Sequence, residues 1–554
     1  MGGKKGLLGA LLGVGLAIFL GPGAFGISGL GILSAGQAVM FGISAIGSAL
    51  MASKLDKQRK QDDPGFLVNK QSTQEPMYVI YGDREVGGHR IFVDTTDNSH
   101  PGDPAGTQYL HMAFAIAEGE VANIKAMRFN DKLVYINNYL EDPLTPSIPA
   151  EYNQEMTDHN ILIDNDTGLV TQWREKDADN GDNDLNFANK IEWAYWLGSD
   201  DQYFETPDYF SAAIQSGPLS GNADMSWAHR DWYNNVDSAS NPGTTEGDSN
   251  RRGRGIVWAY MMLTYDRDVF ASAPRVTFEV RGRKVADVVD TTDFDSLTFA
   301  QQTARMNNPA NCIADYISNA RYGKGLSEAN TLDTGSGSTF ANYKQYCIDK
   351  GITFNGAINT NNTIFDTVQD MMASGNAFMN YSNGVYKIHP NDELDFTGAY
   401  TFTKDNILGT VNIELGNKRG MSNIAKGSFF DKDKRYQQDT VVIPKFDETN
   451  QYLIDDNNAV SEATFSLNYI HDLSTAEKLT RFQLDNSRFM TTMMFQTTWA
   501  ASNLEVGDPV YVTYDRYGFT NKKFRLVGQA LQADGTVFVT LVEYPTTDIW
   551  IDDV

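Results

Sequence analysis

The residue types that most often carry chemistry are scattered in this sequence. Its 554 residues include seven histidines and two cysteines, and no histidines stand at the spacing that a metalloprotease helix or a zinc finger requires. The G-x-S-x-G elbow of many hydrolases and the phosphate-binding G-x-x-x-x-G-K loop are both missing. We therefore expect a protein that is not an enzyme and that holds no cofactor, metal ion or catalytic residue.

One acidic loop has the composition of a calcium site. Residues 177–184 read DADNGDND, and carboxylate and carbonyl oxygens are the ligands that Ca²⁺ prefers. An EF-hand loop needs glycine at its sixth position and glutamate at its twelfth, whereas this loop has Asp182 and Ala188 there. A solvated loop is the favoured interpretation, and a calcium site remains the alternative.

The charge of the chain separates it from general nucleic-acid-binding proteins. It has 45 Lys+Arg against 71 Asp+Glu and a net charge of −26, whereas binding DNA regardless of sequence requires lysines and arginines that neutralise phosphates. Hydrophobic residues make up 41% of the chain, which is enough to build folded cores. Its length fits about three to four domains. The sequence therefore indicates an acidic multidomain protein.

The N-terminal segment differs from everything that follows it. From Gly6 to Ser53 there is no charged residue over 48 positions, and lysines flank the run. Gly21-Pro22-Gly23 would interrupt a helix, so we predict two apolar helices, and small residues recur at spacings that let helix backbones approach closely. The positions expected to lie in a membrane or to plug a lumen are Leu7, Leu8, Gly9, Gly13, Phe19, Phe25, Ala38, Gly42 and Ser48.

Three interpretations of this apolar segment compete. A signal peptide fits its basic start, but the apolar stretch continues well beyond a normal h-region. A permanent membrane anchor fits the second helix, which is long enough to span a bilayer. We favour a sequestered plug or a membrane-active segment, because so large an apolar surface must be buried somewhere while the rest of the chain has an ordinary soluble composition.

The remaining sequence predicts a multidomain, mainly β protein with an α+β domain. Alternating apolar residues from Leu110 to Ile116 predict a half-buried strand. Asn308 before Pro309 predicts a helix start, Gly351 a helix end, and Ser474-Thr475-Ala476-Glu477 a capping box. The predicted units are apolar Gly-rich helices in 1–60, a first β domain in 61–134 and 255–290, an inserted β-rich domain in 135–254, an α-rich domain in 291–400 and a second β domain in 401–554.

Five motifs, in this order along the chain, resemble long-tailed (siphovirus) phage tail tip hub proteins, the group that includes the tip attachment protein J of phage lambda. The first, Tyr81-Gly82-Asp83-Arg84-Glu85-Val86-Gly87-Gly88, is similar to the Y-G-x-x-x-V-G-G opening of that family. The others lie between Tyr109 and Asp131, between Tyr265 and Val285, around Asn308, and around Gly507. The structural family-motif residues are Tyr81, Gly82, Gly87, Gly88, Asn308, Pro309, Tyr322, Gly323, Gly507 and Asp508.

The resemblance implies a fold and a role. Both β domains would be tube-like, and a homotrimer would arrange six of them around a lumen that continues the tail tube. The implied function is a structural hub of the tail tip or baseplate, which closes the tube before infection and takes part in host attachment and in DNA ejection through the host envelope. The implied partners are distal tail and tail tube proteins, the tape measure protein, other tail tip proteins or fibres, and the host membrane, while DNA passes through the lumen without specific binding.

Two features depart from the family pattern. The sequence stops soon after the final β domain, so we expect receptor recognition to belong to another protein. The apolar run lies outside the matched motifs, and a lumen plug, a membrane pore and a tape-measure contact all stay open for it. The alternative function is a membrane-anchored, β-rich surface adhesion protein; a wall-degrading tail enzyme is disfavoured because catalytic signatures are missing.

Overall fold

A computed structural model describes most of the chain downstream of its N-terminal segment. The described residues are 69, 76–97, 108–141, 147–165, 167–174, 185–187, 190–199, 255–270, 272–382, 384–414, 421–489, 491–545 and 549. The predicted N-terminal helices and the acidic loop at 177–184 lie outside these ranges. Among the described residues no helix combines the length and the apolar character that crossing a bilayer requires.

Two four-stranded sheets pack face to face in the first part of the chain. Its elements are β1 (Tyr78–Tyr81), β2 (Asp83–Val86), β3 (His89–Asp97), β4 (Gln108–Glu118), β5 (Val121–Phe129), β6 (Lys132–Ile136), α1 (Asn153–Asp158), β7 (Leu162–Ile163), β8 (Val170–Trp173), β9 (Leu185–Asn186), β10 (Ile191–Leu197), β11 (Ile256–Thr264) and β12 (Val276–Arg283). The sheet orders are β10-β11-β4-β3 and β2-β12-β5-β6. Each sheet turns one apolar face inward because successive side chains of a strand alternate in direction, and the rings of Phe114 and Phe278 meet there with centroids 5.8 Å apart. We call this unit the β sandwich.

The stretch predicted as an inserted domain contributes a strand to the β sandwich. It contains α1 and the small sheet β7-β8-β9. However, β10 pairs along its whole length with β11, from Ile191↔Leu263 to Leu197↔Val257. The ring of Trp193 on β10 also packs edge-on against Tyr135, with centroids 4.6 Å apart. A strand inside 135–254 therefore completes a sheet of the first β unit, a pairing that local composition does not reveal.

Helices dominate the middle of the chain. The elements are α2 (Phe299–Met306), α3 (Pro309–Ser318), α4 (Glu328–Thr331), α5 (Thr339–Lys350), β13 (Gly356–Asn359), α6 (Ile364–Ser374), β14 (Ala377–Ser382) and β15 (Val385–Pro390). The predicted helix signals hold, because the Asn308 side chain accepts a hydrogen bond from the amide of Ala310 at 3.0 Å and α5 ends at Gly351 with φ of +68°. The antiparallel pair β1-β13 ties these helices to the β sandwich.

The last part of the chain forms two separate sheets. Its elements are β16 (Tyr400–Thr403), β17 (Ile407–Glu414), β18 (Ile424–Asp431), β19 (Gln437–Ile443), α7 (Gln451–Asp455), β20 (Glu462–Ser466), α8 (Leu473–Asn486), β21 (Thr492–Thr497), β22 (Pro509–Tyr514), β23 (Phe519–Leu531) and β24 (Val537–Glu543). The six-stranded sheet β16-β22-β23-β24-β21-β17 has its own apolar core. The three-stranded sheet β19-β18-β20 instead buries residues such as Phe429 and Phe465 in one core with the middle helices.

The start of α8 differs from the predicted capping box. The helix begins at Leu473, and the Asp472 carboxylate accepts a hydrogen bond from the amide of Thr475 at 3.0 Å. Ser474 lies inside the first turn. Aspartate caps a helix about as well as serine, so the earlier residue takes the capping position and lengthens the helix.

Candidate functional site

The Tyr81–Gly88 motif lies where the β sandwich meets the two later parts of the chain. Its first residue, Tyr81, is fully buried and donates a hydrogen bond to Asp315 on α3 at 2.6 Å. The same carboxylate accepts bonds from Tyr322 at 2.8 Å and from the Arg283 guanidinium at 3.0 Å. Burial, and then the Asp315 charge, raise the pKa of Tyr81 well above its ordinary value. Two tyrosines and an arginine thus converge on one carboxylate and fix the helices to the β sandwich.

Gly82 permits a backbone approach that another residue would block. It has φ of +62°, and a Cβ atom there would lie 2.2 Å from the carbonyl oxygen of Phe354. The Asn355 side chain fills the remaining space and accepts a hydrogen bond from the Asp83 amide at 2.9 Å. Since a left-handed backbone and a clash with main chain both exclude a side chain, glycine is needed at this position.

The next two motif residues contact the three-stranded sheet. The Arg84 guanidinium lies 3.8 Å from the centre of the Phe430 ring on β18, a cation–π contact, and burial lowers the pKa of Arg84 to about 10. The Glu85 carboxylate accepts hydrogen bonds from Arg435 at 2.8 Å and from Thr277 at 2.6 Å. The contacts with Phe430 and Arg435 join the β sandwich to β18 and to the turn that follows it, while Thr277 holds Glu85 from within the β sandwich.

That turn has an unusual backbone. Arg435 and Tyr436 have φ of 56° and 54°, and a left-handed conformation costs roughly 1–2 kcal/mol for each residue with a side chain. The turn directs Arg435 at two carboxylates, because its guanidinium also pairs with Asp131 at 3.0 Å. Such conformations persist where surrounding contacts hold them, and here the ion pairs with Glu85 and Asp131 do so.

A buried lysine lies at the centre of the same junction. The Lys125 ammonium pairs with Asp83 at 2.9 Å, with Glu151 at 2.7 Å and with Glu279 at 3.3 Å, while its side chain is only 5% exposed. Burial alone lowers the pKa of Lys125, but Asp83 and Glu279 raise it by more, so the pKa lies above the ordinary value. Burial raises the pKa of Glu279, although Lys125 opposes that shift. We call Asp83, Arg84, Glu85, Lys125, Glu279 and Arg435 the charged junction.

A histidine borders the charged junction. Burial, and then the neighbouring Lys432, lower the pKa of His471 to about 4, against the opposing influence of Asp83 and Asp472. Its ring lies 6.4 Å from that of Tyr436. An unperturbed histidine is mostly neutral at pH 7 and gains a proton on mild acidification. The His471 imidazole is also neutral at pH 7, but it stays neutral until the pH approaches 4.

Three other motif residues have local structural roles. Asn308 caps α3 and donates from its amide to the Lys344 carbonyl at 3.3 Å, and Pro309 occupies the first helical position. A Cβ atom on Gly323 would lie 1.7 Å from the Tyr316 carbonyl oxygen, so this turn tolerates only glycine. These residues position α3, which carries Asp315.

The glycines that close the first motif and the final one also have structural roles. The carbonyl of Gly87 accepts a hydrogen bond from Asn69, and Gly88 has φ of +63° beside β4. Gly507, with φ of +109°, makes a turn in which the Asp508 carboxylate accepts a bond from the amide of Glu505 at 2.8 Å. Gly507 and Asp508 thus lie at the six-stranded sheet, apart from the charged junction.

Sequence reasoning missed the partners of the motif. Lys125 and Glu279 lie within the stretches of the second and third motifs, but nothing in those motifs showed that the two side chains meet. Arg435 lies outside every motif. The described residues contain no group of three or more His, Cys, Asp or Glu side chains that could hold a metal ion. The arrangement can hold three parts of a chain together, and its buried ion pairs give that contact a defined geometry.

Comparison with curated proteins finds the baseplate hub protein pb3 of Escherichia phage T5, which is 21% identical over 495 residues, covering 84% of this chain and 47% of the relative. The chain therefore spans about half the length of that relative. No family model matches.

Among solved structures, a chain of the virion of a native gene transfer agent particle is similar in fold, with a TM-score of 0.50 and 12% identity over 92% of this chain and 99% of that one. The 43 kDa tail protein of prophage MuSo2 from Shewanella oneidensis has a TM-score of 0.27 and 10% identity over 85% of this chain and 98% of that one. The more specific resemblance to the tip attachment protein J of phage lambda remains a prediction. The resemblance to phage tail hub proteins is nevertheless confirmed, and this mainly β, multidomain chain belongs to the virion tail.

Proposed function

We propose that the chain is the hub of a phage tail tip, a homotrimer that continues the tail tube, closes it before infection and takes part in host attachment and in DNA ejection through the host envelope. The observation that carries this proposal is the match to a baseplate hub protein over 84% of the chain. The position of the family motif supports it, because its residues hold the β sandwich to both later parts of the chain.

The proposed trimer uses the two predicted tube-like domains, 61–134 with 255–290, and 401–554. Three copies would arrange six such domains around the lumen, with the α-rich residues 291–400 and the inserted residues 135–254, except strand β10, outside it. Each copy has a net charge of −26. Acidic side chains that line a lumen would repel DNA, so DNA would pass through without specific binding.

The proposed closure of the tube rests on the apolar N-terminal segment. Its 48 uncharged residues need a place away from water, and a threefold axis inside a lumen or a contact with the tape measure protein would provide one. On ejection the same segment would enter the host envelope. The chain would contact distal tail and tail tube proteins and other tip proteins or fibres, and it would do so without catalysis.

Cryo-electron microscopy of intact particles tests this proposal. We expect three copies of the chain at the distal end of the tail, coaxial with the tube, with density for residues 6–53 on or near the axis. A chain located away from the tail tip, or present in a number other than three, would contradict the hub proposal. Residues 6–53 extending outward from the tip would contradict the closure alone, and a lumen lined mainly by lysine and arginine would contradict the repulsion of DNA.

A further inference from the structure

A single phenylalanine projects from the three-stranded sheet without any apolar contact of its own. Phe446 is fully exposed at 108%, and in the described part of the chain the next most exposed large apolar side chain is Val460 at 64%. Phe446 follows β19, whose last residue, Ile443, is completely buried. The side chain therefore contributes nothing to the core that lies three residues away.

The backbone around Phe446 forms a closed turn. The amide of Glu448 donates to the carbonyl of Lys445 at 3.0 Å, which makes Phe446 and Asp447 the two central residues of a β-turn. Such positions usually carry proline, aspartate, asparagine, glycine or serine, because those residues favour the turn and are compatible with solvent. Asp447 fits that preference and Phe446 does not, so the local fold does not explain the phenylalanine.

Ion pairs on both sides hold this turn against α8. The Lys445 ammonium pairs with Glu477 at 2.8 Å, and both carboxylate oxygens of Glu448 accept from the same Arg481 nitrogen at 2.7 Å. Each exposed pair alone stabilises the fold little, but together they restrict where the turn points. An aromatic side chain on a restrained turn loses little conformational freedom on binding, which is the property of a preorganised anchor.

The charges of the turn indicate the chemistry of its partner. Lys445 and Glu448 are each neutralised by an ion pair within the chain, which leaves Asp447 to give the tip a negative charge. Outside the contacts of the proposed trimer, the surface of a second copy, with its net charge of −26, would on average repel that carboxylate. An apolar pocket with lysine or arginine at its rim complements both the ring and the carboxylate.

We infer that the turn Lys445–Glu448 docks into an apolar, basic-rimmed pocket of a different protein of the tail, with Phe446 as its anchor residue. This inference rests on the proposed function, since it supplies one contact through which the hub joins its neighbours. Aromatic anchors in fully desolvated pockets dominate the energetics of many interfaces.

Photocrosslinking in intact particles tests the inference directly. Phe446 is replaced by p-benzoylphenylalanine, which keeps an aromatic ring, and purified particles are irradiated and analysed by mass spectrometry. We expect a crosslink to a different tail polypeptide, at a peptide with apolar residues flanked by lysine or arginine. A crosslink to another copy of this chain, or to lipid, would overturn the inference, as would the absence of any crosslink in particles that contain the chain. A chain missing from purified particles would instead overturn the proposed function.

A pair of alanine variants gives a second measure. We expect Phe446→Ala to lower incorporation of the chain into particles at least tenfold, while the thermal unfolding of the purified chain stays unchanged because Phe446 packs against nothing. Ile348→Ala, at a surface residue of α5 that is 54% exposed, is the control and should incorporate normally. Equal incorporation of both variants would refute the docking role of Phe446.

Discussion

The three-stranded sheet β19-β18-β20 is held to its two neighbours by opposite means. On one side it shares an apolar core with the middle helices and α8, where Phe429, Leu479 and Phe482 are buried. On the other side it meets the β sandwich through Arg435, which pairs with Glu85 and Asp131, and through the cation–π contact of Arg84. One contact is apolar and the other is mainly charged.

Because of this difference, the shared core and the charged junction should respond differently to salt and to pH. Separating the shared core would expose apolar surface, whose transfer to water is unfavourable regardless of salt. Separating the charged junction would return its ions to water, which recovers much of their desolvation free energy. The core therefore behaves as one unit, whereas the charged junction is sensitive to protonation.

The largest effect is expected in the shared core. Leu479 on α8 is completely buried, and truncating such a leucine removes its transfer free energy and leaves a cavity, at a cost of about 2–5 kcal/mol. We expect Leu479→Ala to lower the melting temperature of this unit in calorimetry by the same amount at pH 5 and at pH 8. Leu479→Met, which conserves volume, is the control. A loss that depends strongly on pH would contradict the apolar character of this contact.

The second effect is expected at the charged junction. Lys125→Met removes the cation that faces Asp83, Glu151 and Glu279, and leaving a buried carboxylate unpaired costs about 3 kcal/mol. Because the pKa of Glu279 is already raised by burial, losing Lys125 raises it further. The folded variant then keeps a proton on Glu279 that the unfolded chain releases above pH 4.5. The variant's loss in free energy of unfolding, relative to the wild-type chain, is therefore smaller at pH 5 and larger at pH 8.

Unfolding of Lys125→Met at several pH values measures this deficit. The matched control is Lys426→Met, since Lys426 pairs with a carboxylate, Glu462, that is 46% exposed, and its loss should cost less than about 1 kcal/mol. A deficit for Lys125→Met that does not change between pH 5 and pH 8 would show that charge does not determine the strength of this contact.

The third effect is a loss of folding stability at low pH, caused by two buried histidines. The pKa of His471, beside the charged junction, and that of His389, on β15, are both lowered to about 4, in each case chiefly by burial. Between about pH 6.5 and pH 4 the unfolded chain binds protons that the folded chain does not, so stability is lost as pH falls through this window, by roughly 1–3 kcal/mol for each histidine.

Glutamine variants separate the two histidines. We expect His471→Gln to reduce the acid-induced loss of stability, as followed by thermal unfolding between pH 4 and pH 7. His389→Gln should do so independently, because His389 lies on β15 and His471 lies between β20 and α8. An unchanged acid profile in both variants would contradict the lowered pKa values.

Local signals in the sequence were sufficient for the start of α3 and the end of α5, but they misplaced the cap of α8 and did not reveal the contacts between parts. Asn308-Pro309 and Gly351 predict helix ends because capping depends on residues within one turn. The pairing of β1 with β13 joins residues such as Tyr81 and Gly356, and no local pattern encodes it. The same holds for the contact of Lys125 with Glu279: both residues lie in recognised motifs, but no local pattern shows that their side chains meet.

The smallest effect is expected at an exposed ion pair, which tests whether burial rather than charge alone makes the charged junction strong. The hairpin β14-β15 meets the six-stranded sheet near Gly507, where Lys387 pairs with Glu505 at 2.6 Å, but the Glu505 side chain is 42% exposed. Water screens such a pair, so a double-mutant cycle with Lys387→Met and Glu505→Gln should give a coupling of about 0.5 kcal/mol, falling towards zero at 1 M salt. A coupling as large as the loss at Lys125 would mean that ionic contacts stabilise this chain wherever they occur. A small coupling would assign the strength of the charged junction to its burial among Asp83, Glu151 and Glu279.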